Sequence, residues 1–180
     1  AVPDMLISHV VCQIRWRVDQ SVIHCSGALT LEPLDRAYQQ GATVGSFHPL
    51  QTFHRYDSHI SAGVAVAIEA EGQLSCFLHD LAQNIGGLPI QISPQDRPIY
   101  HAAAVLSCGY VATLMKLAGD LWNTLGIKDL HPLTALGPLA SGTLDAILTH
   151  GTSSATGPVM RGDVETVRHH LEALSQRMPE

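Results

Sequence analysis

Up to about residue 93 the sequence alternates short β-rich runs with helical stretches, and beyond it no β-rich run recurs. That alternation constrains the fold more than any other feature, because repeated βα units suggest a parallel sheet covered by helices. Residues 5–18 place Met5, Leu6, Val10, Ile14 and Val18 near helical spacing, with Asp4 as a plausible N-cap. Residues 21–25 read as a strand, and residues 30–39 as a helix that Thr30 opens and Gly41 stops. Residues 42–47 return to strand, closed by His48-Pro49. Residues 50–60 are polar and irregular and read as a loop. Residues 62–69 set Val64, Val66 and Ile68 on one side of a strand. Residues 72–85 read as a helix stopped by Gly86-Gly87, and residues 88–93 as a strand.

After Pro98 the character changes. Residues 99–125 read as one long helix with a thin face at Ala102, Ala103, Ala104, Ser107 and Gly109, where small side chains let a neighbouring helix approach; the face should be buried either on neighbouring helices or across a two-fold interface. Residues 131–149 and 162–177 read as two further helices. The expected organisation is a partial α/β domain over residues 1–93, a linker at 94–98 and an all-α domain over residues 99–180.

Composition supports a packed chain. Hydrophobic residues make up 46% and charged residues 14%, so a core can form. A net charge of −6 argues against nucleic acid or an anionic membrane surface as the partner. No unbroken apolar run reaches the roughly 18 residues needed to span a bilayer. The opening residues lack the basic region of a secretory leader. Ala1-Val2-Pro3-Asp4 reads as the end of a strand followed by a turn, a hint of residues upstream. Cys12, Cys25, Cys76 and Cys108 are far apart, lack a CxxC pair and fall in apolar stretches. Buried thiols in a reducing cytoplasm are expected. The eleven histidines include no HExxH pattern, so no metal site is expected.

Four clusters are candidates for chemistry. Val2-Pro3-Asp4, His24-Cys25-Ser26-Gly27 and Gly45-Ser46-Phe47-His48 each close a presumed strand, and in open parallel sheets ligands lie outside the carboxyl ends. Gly27 permits close approach of a ligand, Ser26 offers a hydroxyl and an N–H, and His48 can move a proton near neutral pH. The fourth cluster is split between Tyr100-His101 and Thr156-Gly157-Pro158…Arg161-Gly162-Asp163. Arg161, ahead of a helix start, could make an anion site. The same residues have plainer readings: tight turns at residues 2–4 and 26–27, a strand end at His48-Pro49, a core histidine at His101, and an Arg161–Asp163 ion pair. The glycine-rich dinucleotide fingerprint GxGxxG, the phosphate-loop pattern and the GxSxG elbow are all missing from the sequence.

The ordered blocks Ala-Val-Pro-Asp, His-Cys-Ser-Gly-Ala-Leu, Gly-Ser-Phe-His-Pro-Leu-Gln, Tyr-His-Ala-Ala-Ala and Thr-Gly-Pro…Arg-Gly-Asp resemble bacterial Rossmann-like proteins ending in a helical domain of unknown function, number 2520. These are distant relatives of pyrroline-5-carboxylate reductase, ketopantoate reductase and 6-phosphogluconate dehydrogenase. The resemblance implies the second half of a Rossmann-like sheet plus a dehydrogenase-type helical domain, NADP or NAD as cofactor, and a homodimer. It places Val2, Pro3, Asp4, Ser26 and Gly27 near the cofactor. His48 resembles the catalytic histidine of the His-Pro segment in prephenate dehydrogenases. Two departures stand out: the first strands with their glycine-rich loop are missing, so weak or absent cofactor binding is expected, and Cys108-Gly109 stands where an asparagine-bearing stretch would be expected.

The reading that follows is an NAD(P)-dependent, oxidoreductase-like protein acting on a small anionic substrate. His48 or His101 would supply the proton, Arg161 would clamp the anion, and Tyr100 would help bind substrate. The alternatives are a dinucleotide sensor without turnover and a helical dimerisation module.

Overall fold

The computed structural model describes residues 2–53 and 59–178. The chain opens with a 3-10 turn, Asp4–Leu6, leading into α1 (Ile7–Cys12). There follow β1 (Ser21–His24), a second 3-10 turn (Glu32–Leu34), α2 (Asp35–Gln39), β2 (Thr43–Pro49), β3 (Ala65–Glu69), α3 (Gly72–Asn84) and β4 (Leu88–Gln91). The helices α4 (Arg97–Ser107), α5 (Gly109–Asn123), α6 (Pro132–His150) and α7 (Val164–Arg177) complete it. Two compact units divide between Tyr110 and Val111, inside α5, whereas composition alone divides the chain at residues 94–98.

The first unit is an α/β layer structure on a four-stranded sheet of order β1-β2-β3-β4. β1 pairs with β2, and β3 with β4, in parallel, but β2 and β3 run antiparallel. The sheet is therefore mixed and not wholly parallel as expected. A parallel connection needs a crossover element, and none is present among the described residues of the link from β2 to β3.

Strand parity sorts the two faces. Phe47 stands opposite Ile68, and these pack with Val66 of β3 and with Leu74, Leu78 and Ala82 of α3. On the other face Val22 stands opposite Val44, beneath Ile7 and Val11 of α1 and Ala37 of α2. Continuing along that second face, His24, Ser46 and Glu69 form one cross-strand row, with His48 two residues beyond Ser46. Alternating side chains thus give one apolar face and one face that changes from apolar to polar along the strands.

Several local expectations are corrected. The first helix ends at Cys12, well short of residue 18, and the turn after it is held by Trp16, whose backbone N–H donates to Gln40 Oε1 at 2.7 Å. Asp4 does not cap α1; its carboxylate accepts from the Ser26 hydroxyl at 2.6 Å. Thr30 is not the cap of α2, which follows the 3-10 turn after Leu31. His48 and Pro49 do not close β2 but belong to it, opposite Ala67 and Val66. Pro49 is tolerated because β1 pairs only as far as Ser46, so no partner there needs its missing N–H. All four cysteines are exposed, not buried.

The expected single helix over residues 99–125 is two helices broken at Cys108, and within the chain neighbouring helices do not cover its small-residue face: Ala102, Ala103, Ser107 and Gly109 are exposed and Ala104 is half-buried. By length and composition, the run Arg97–Asn123 is long and apolar enough to cross a membrane. Its first residue, however, is a fully buried arginine joined to the sheet.

The second unit is helical. α5 meets the start of α6 where Gly119 faces Pro132, and Arg177 at the end of α7 donates to the Thr124 carbonyl at 3.0 Å. Asp163 caps α7, accepting from the N–H and hydroxyl of Thr166, which hold its carboxyl below the usual range. Gly119 is the only buried residue among those described in this unit.

Candidate functional site

The polar row on the sheet is organised by Arg97, which composition alone places in the linker at residues 94–98. Arg97, first in α4, is fully buried. Its Nε and Nη2 donate to Glu69 Oε2 at 3.0 and 2.6 Å, its Nη2 to Ser46 Oγ at 2.6 Å, and its Nη1 to the Ser26 carbonyl at 3.2 Å. A buried cation needs this degree of pairing, because desolvation costs several kcal/mol per ion on the order-of-magnitude scale. Glu69 ends β3 and is buried beside it. Sequence offered only a faint signal for the pair: an acid ending the apolar run of β3, and an arginine before Pro98 where a helix begins.

Ser26 is fixed from several sides. Its hydroxyl donates to Asp4 and accepts from the N–H groups of Ala28 and Leu29 at 3.2 and 3.1 Å. Its N–H donates to His24 Nδ1 at 3.2 Å, while His24 Nε2 lies 2.9 Å from the Thr30 carbonyl. With Nδ1 accepting and Nε2 donating, His24 is a neutral structural histidine. Burial pushes its imidazole below the ordinary value.

Gly27 follows, and here the sequence clusters meet. A Cβ on Gly27 would lie 2.7 Å from His48 Cε1, 2.8 Å from His48 Nε2 and 3.1 Å from His101 Cδ2. Both imidazoles therefore rest over the bare backbone of Gly27, a closeness that only glycine permits. The Tyr100 hydroxyl lies 2.7 Å from His48 Nδ1, and the two rings meet edge to face at 5.7 Å. Burial is the main reason the His48 imidazole is held below its ordinary value, with His101 and Arg97 adding to it. Burial raises the Tyr100 phenol, so it stays protonated and able to donate.

Two cavities flank this assembly. The larger, about 660 Å³, is lined by His48, Tyr100 and His101, by Gln51 and Thr52 after β2, and by α4 as far as Cys108. The Thr52 hydroxyl and Cys108 thiol are 3.3 Å apart at its edge. The smaller, about 320 Å³, lies beside β1 and is lined by Val2, Asp4 and Ser26 together with mostly apolar residues such as Ile7 and Val22. The structure thus brings together eight of the nine sequence candidates within one unit: Val2, Pro3, Asp4, Ser26 and Gly27 on the β1 side, His48, Tyr100 and His101 on the α4 side. Arg161 belongs to the other unit, exposed in the turn before α7. Among the described residues, no group of three His, Cys, Asp or Glu side chains is placed to hold a metal ion.

This arrangement can move a proton. With the Tyr100 hydroxyl donating to Nδ1, neutral His48 carries its proton on Nε2; when Nε2 gives that proton up, Nδ1 takes the phenol proton, so the ring stays neutral and the charge is left on the phenolate oxygen.

Solved structures resemble the chain closely in fold. Protein TM1727 from Thermotoga maritima superposes with a TM-score of 0.81 at 24% identity, over 98% of this chain and 69% of its own. BF3122 from Bacteroides fragilis, described as a putative NADP oxidoreductase, superposes with a TM-score of 0.76 at 21% identity, over 97% of this chain and 66% of its own. The chain therefore spans about two thirds of the length of these neighbours, and at such identities the likeness is one of fold. No curated protein matches the sequence. The family described as domain of unknown function DUF2520 matches residues 64–180, more than half of the chain. Its match covers β3 with Glu69, the whole of α4 with Arg97, Tyr100 and His101, and the helical unit, and the chain is a member of that DUF2520 family.

Proposed function

We propose that this chain is the substrate-side part of an NADP- or NAD-dependent oxidoreductase that reduces a carbonyl or imine group of a small polar substrate. The observation that carries the reading is the Tyr100–His48 hydrogen bond at the wall of a cavity of about 660 Å³. Clefts that combine a few convergent polar groups with a perturbed titratable residue are the usual setting of small-molecule chemistry. The fold neighbour from Bacteroides fragilis bears an oxidoreductase description.

A nicotinamide dinucleotide, when bound, supplies the hydride. The cavity beside β1 suits an uncharged part of such a molecule: its wall is largely apolar, Val2 included, and Asp4 and Ser26 offer a polar edge, with Pro3 and Gly27 next to them in sequence. It does not suit the pyrophosphate, since among the described residues no arginine or lysine lines it and Asp4 stands at its rim. The residues of this chain fit the nicotinamide side alone.

The protein's own part is proton transfer and placement. His48 serves as proton donor, His101 stands beside it as a second donor, and Tyr100 orients His48 and borders the substrate. We further propose a homodimer, because Leu114, Leu139, Leu148 and Leu171 of the helical unit are all exposed and such apolar surface favours association.

The test is consumption of NADPH or NADH by the gene product as encoded, across a panel of small carbonyl and imine compounds. Turnover with one of them supports the reductase reading. Tight dinucleotide binding with no consumption across the panel favours a sensor.

A further inference from the structure

Two surfaces confine the His48 imidazole: the backbone of Gly27 beneath it and the Tyr100 hydroxyl at its Nδ1. Both hang from one guanidinium. Arg97 Nη1 holds the carbonyl of Ser26, the residue before Gly27, and Arg97 itself stands three residues before Tyr100 and four before His101 on α4. Residues three and four apart are neighbours on one side of a helix, one turn along. The other end of the guanidinium is fixed to β2 through Ser46 and to β3 through Glu69. We propose that Arg97, held by Glu69, is the positioning residue that sets Tyr100 and Gly27 against His48.

Stability does not require this arrangement. A buried ion pair is commonly no better than well-packed apolar residues of similar volume, whereas removal of one partner is strongly destabilising. What the pair provides is geometry, since a planar fork can hold two strands, the loop after β1 and a helix in one arrangement where an apolar side chain cannot. The proposal rests on reading His48 as the proton donor, because only then does the tautomer of His48 matter to the reaction. The charged and titratable groups that act on His48 are His101, Arg97, Asp4 and His24, so loss of the Arg97 charge alone changes the field at the ring, and the informative readout is the tautomer and not the titration midpoint.

The test compares the side-chain nitrogen NMR spectrum of His48 in the parent, in Tyr100→Phe, and in the double variant Arg97→Met with Glu69→Met. The parent should show neutral His48 with its proton on Nε2. Tyr100→Phe should give a tautomer mixture. The double variant should keep a cooperative melt yet show the same mixture as Tyr100→Phe. If it does not melt cooperatively, Arg97→Lys, which keeps the charge and loses the fork, takes its place with the same expectation. A folded variant at Arg97 whose His48 spectrum matches the parent overturns the proposal, as does a Tyr100→Phe spectrum identical to the parent. None of these readouts needs substrate, so a failure here is distinguishable from a failure of the reductase reading, which turnover alone decides.

Discussion

The Tyr100 hydroxyl reaches His48 Nδ1 at 2.7 Å across 52 residues of sequence. It ties α4 to the strand β2, and with the phenol donating it favours the tautomer that carries its proton on Nε2. Tyr100→Phe removes the hydroxyl and little volume, so the loss should be that of a single hydrogen bond, about 0.5–1.5 kcal/mol. Chemical denaturation of the two proteins checks this. A variant as stable as the parent would mean that the bond contributes nothing beyond what water supplies.

Gly27 makes the sharper steric claim. A methyl there falls 2.7 Å from His48 Cε1, well inside van der Waals contact. Gly27→Ala should therefore displace the ring or the loop, at a cost of roughly 1–3 kcal/mol as in other overpacked sites. A thermal melt reports the cost. An unchanged midpoint would show that His48 swings away freely and is not confined.

Acid should weaken the fold through two histidines. Burial holds His24 and His48 below their ordinary value in the folded protein, while unfolding restores about 6.5. Between the folded and unfolded values the unfolded chain binds more protons, so stability rises with pH there. The contribution is complete above about pH 6.5 and is lost as pH falls through the depressed folded values. Melts between about pH 7.5 and about pH 5 should show a falling midpoint, and His24→Gln should shrink the slope. A midpoint that stays flat, or rises toward acid, would contradict it.

Much of this was legible in the sequence where local pattern decides structure. The alternation of Val64, Val66 and Ile68 marked β3, and Gly86, at φ +78°, ended α3 where a helix stop was expected. The convergence of Ser26-Gly27 with His48 was legible as well, because each lies late in or just after a strand. What escaped was set by pairing partners far along the chain. β2 continues through His48 and Pro49 only because β3 returns beside it, and no local signal announces an antiparallel return. Arg97 read as part of a polar linker because its counter-charge, Glu69, lies 28 residues away. The cysteines were expected to be buried from their apolar neighbours, yet short amphipathic helices turn some of those positions outward, as at Cys12 and Cys76.

The helical unit predicts association. With Leu114, Leu139, Leu148 and Leu171 exposed, sedimentation should show a dimer, and Leu148→Asp should weaken it if that residue lies in the shared face. A parent that sediments as a monomer at all accessible concentrations would rule the dimer out.

The most direct measurement is the steady-state kinetics of His48→Asn in the gene product as encoded, with the carbonyl or imine compound that the panel identifies. Asparagine keeps a polar side chain of similar reach and cannot deliver the proton. The account predicts that kcat falls by about 10²–10⁴-fold, the usual contribution of a positioned acid, while KM changes little. A kcat equal to that of the parent would contradict it and leave His48 as a structural side chain of β2.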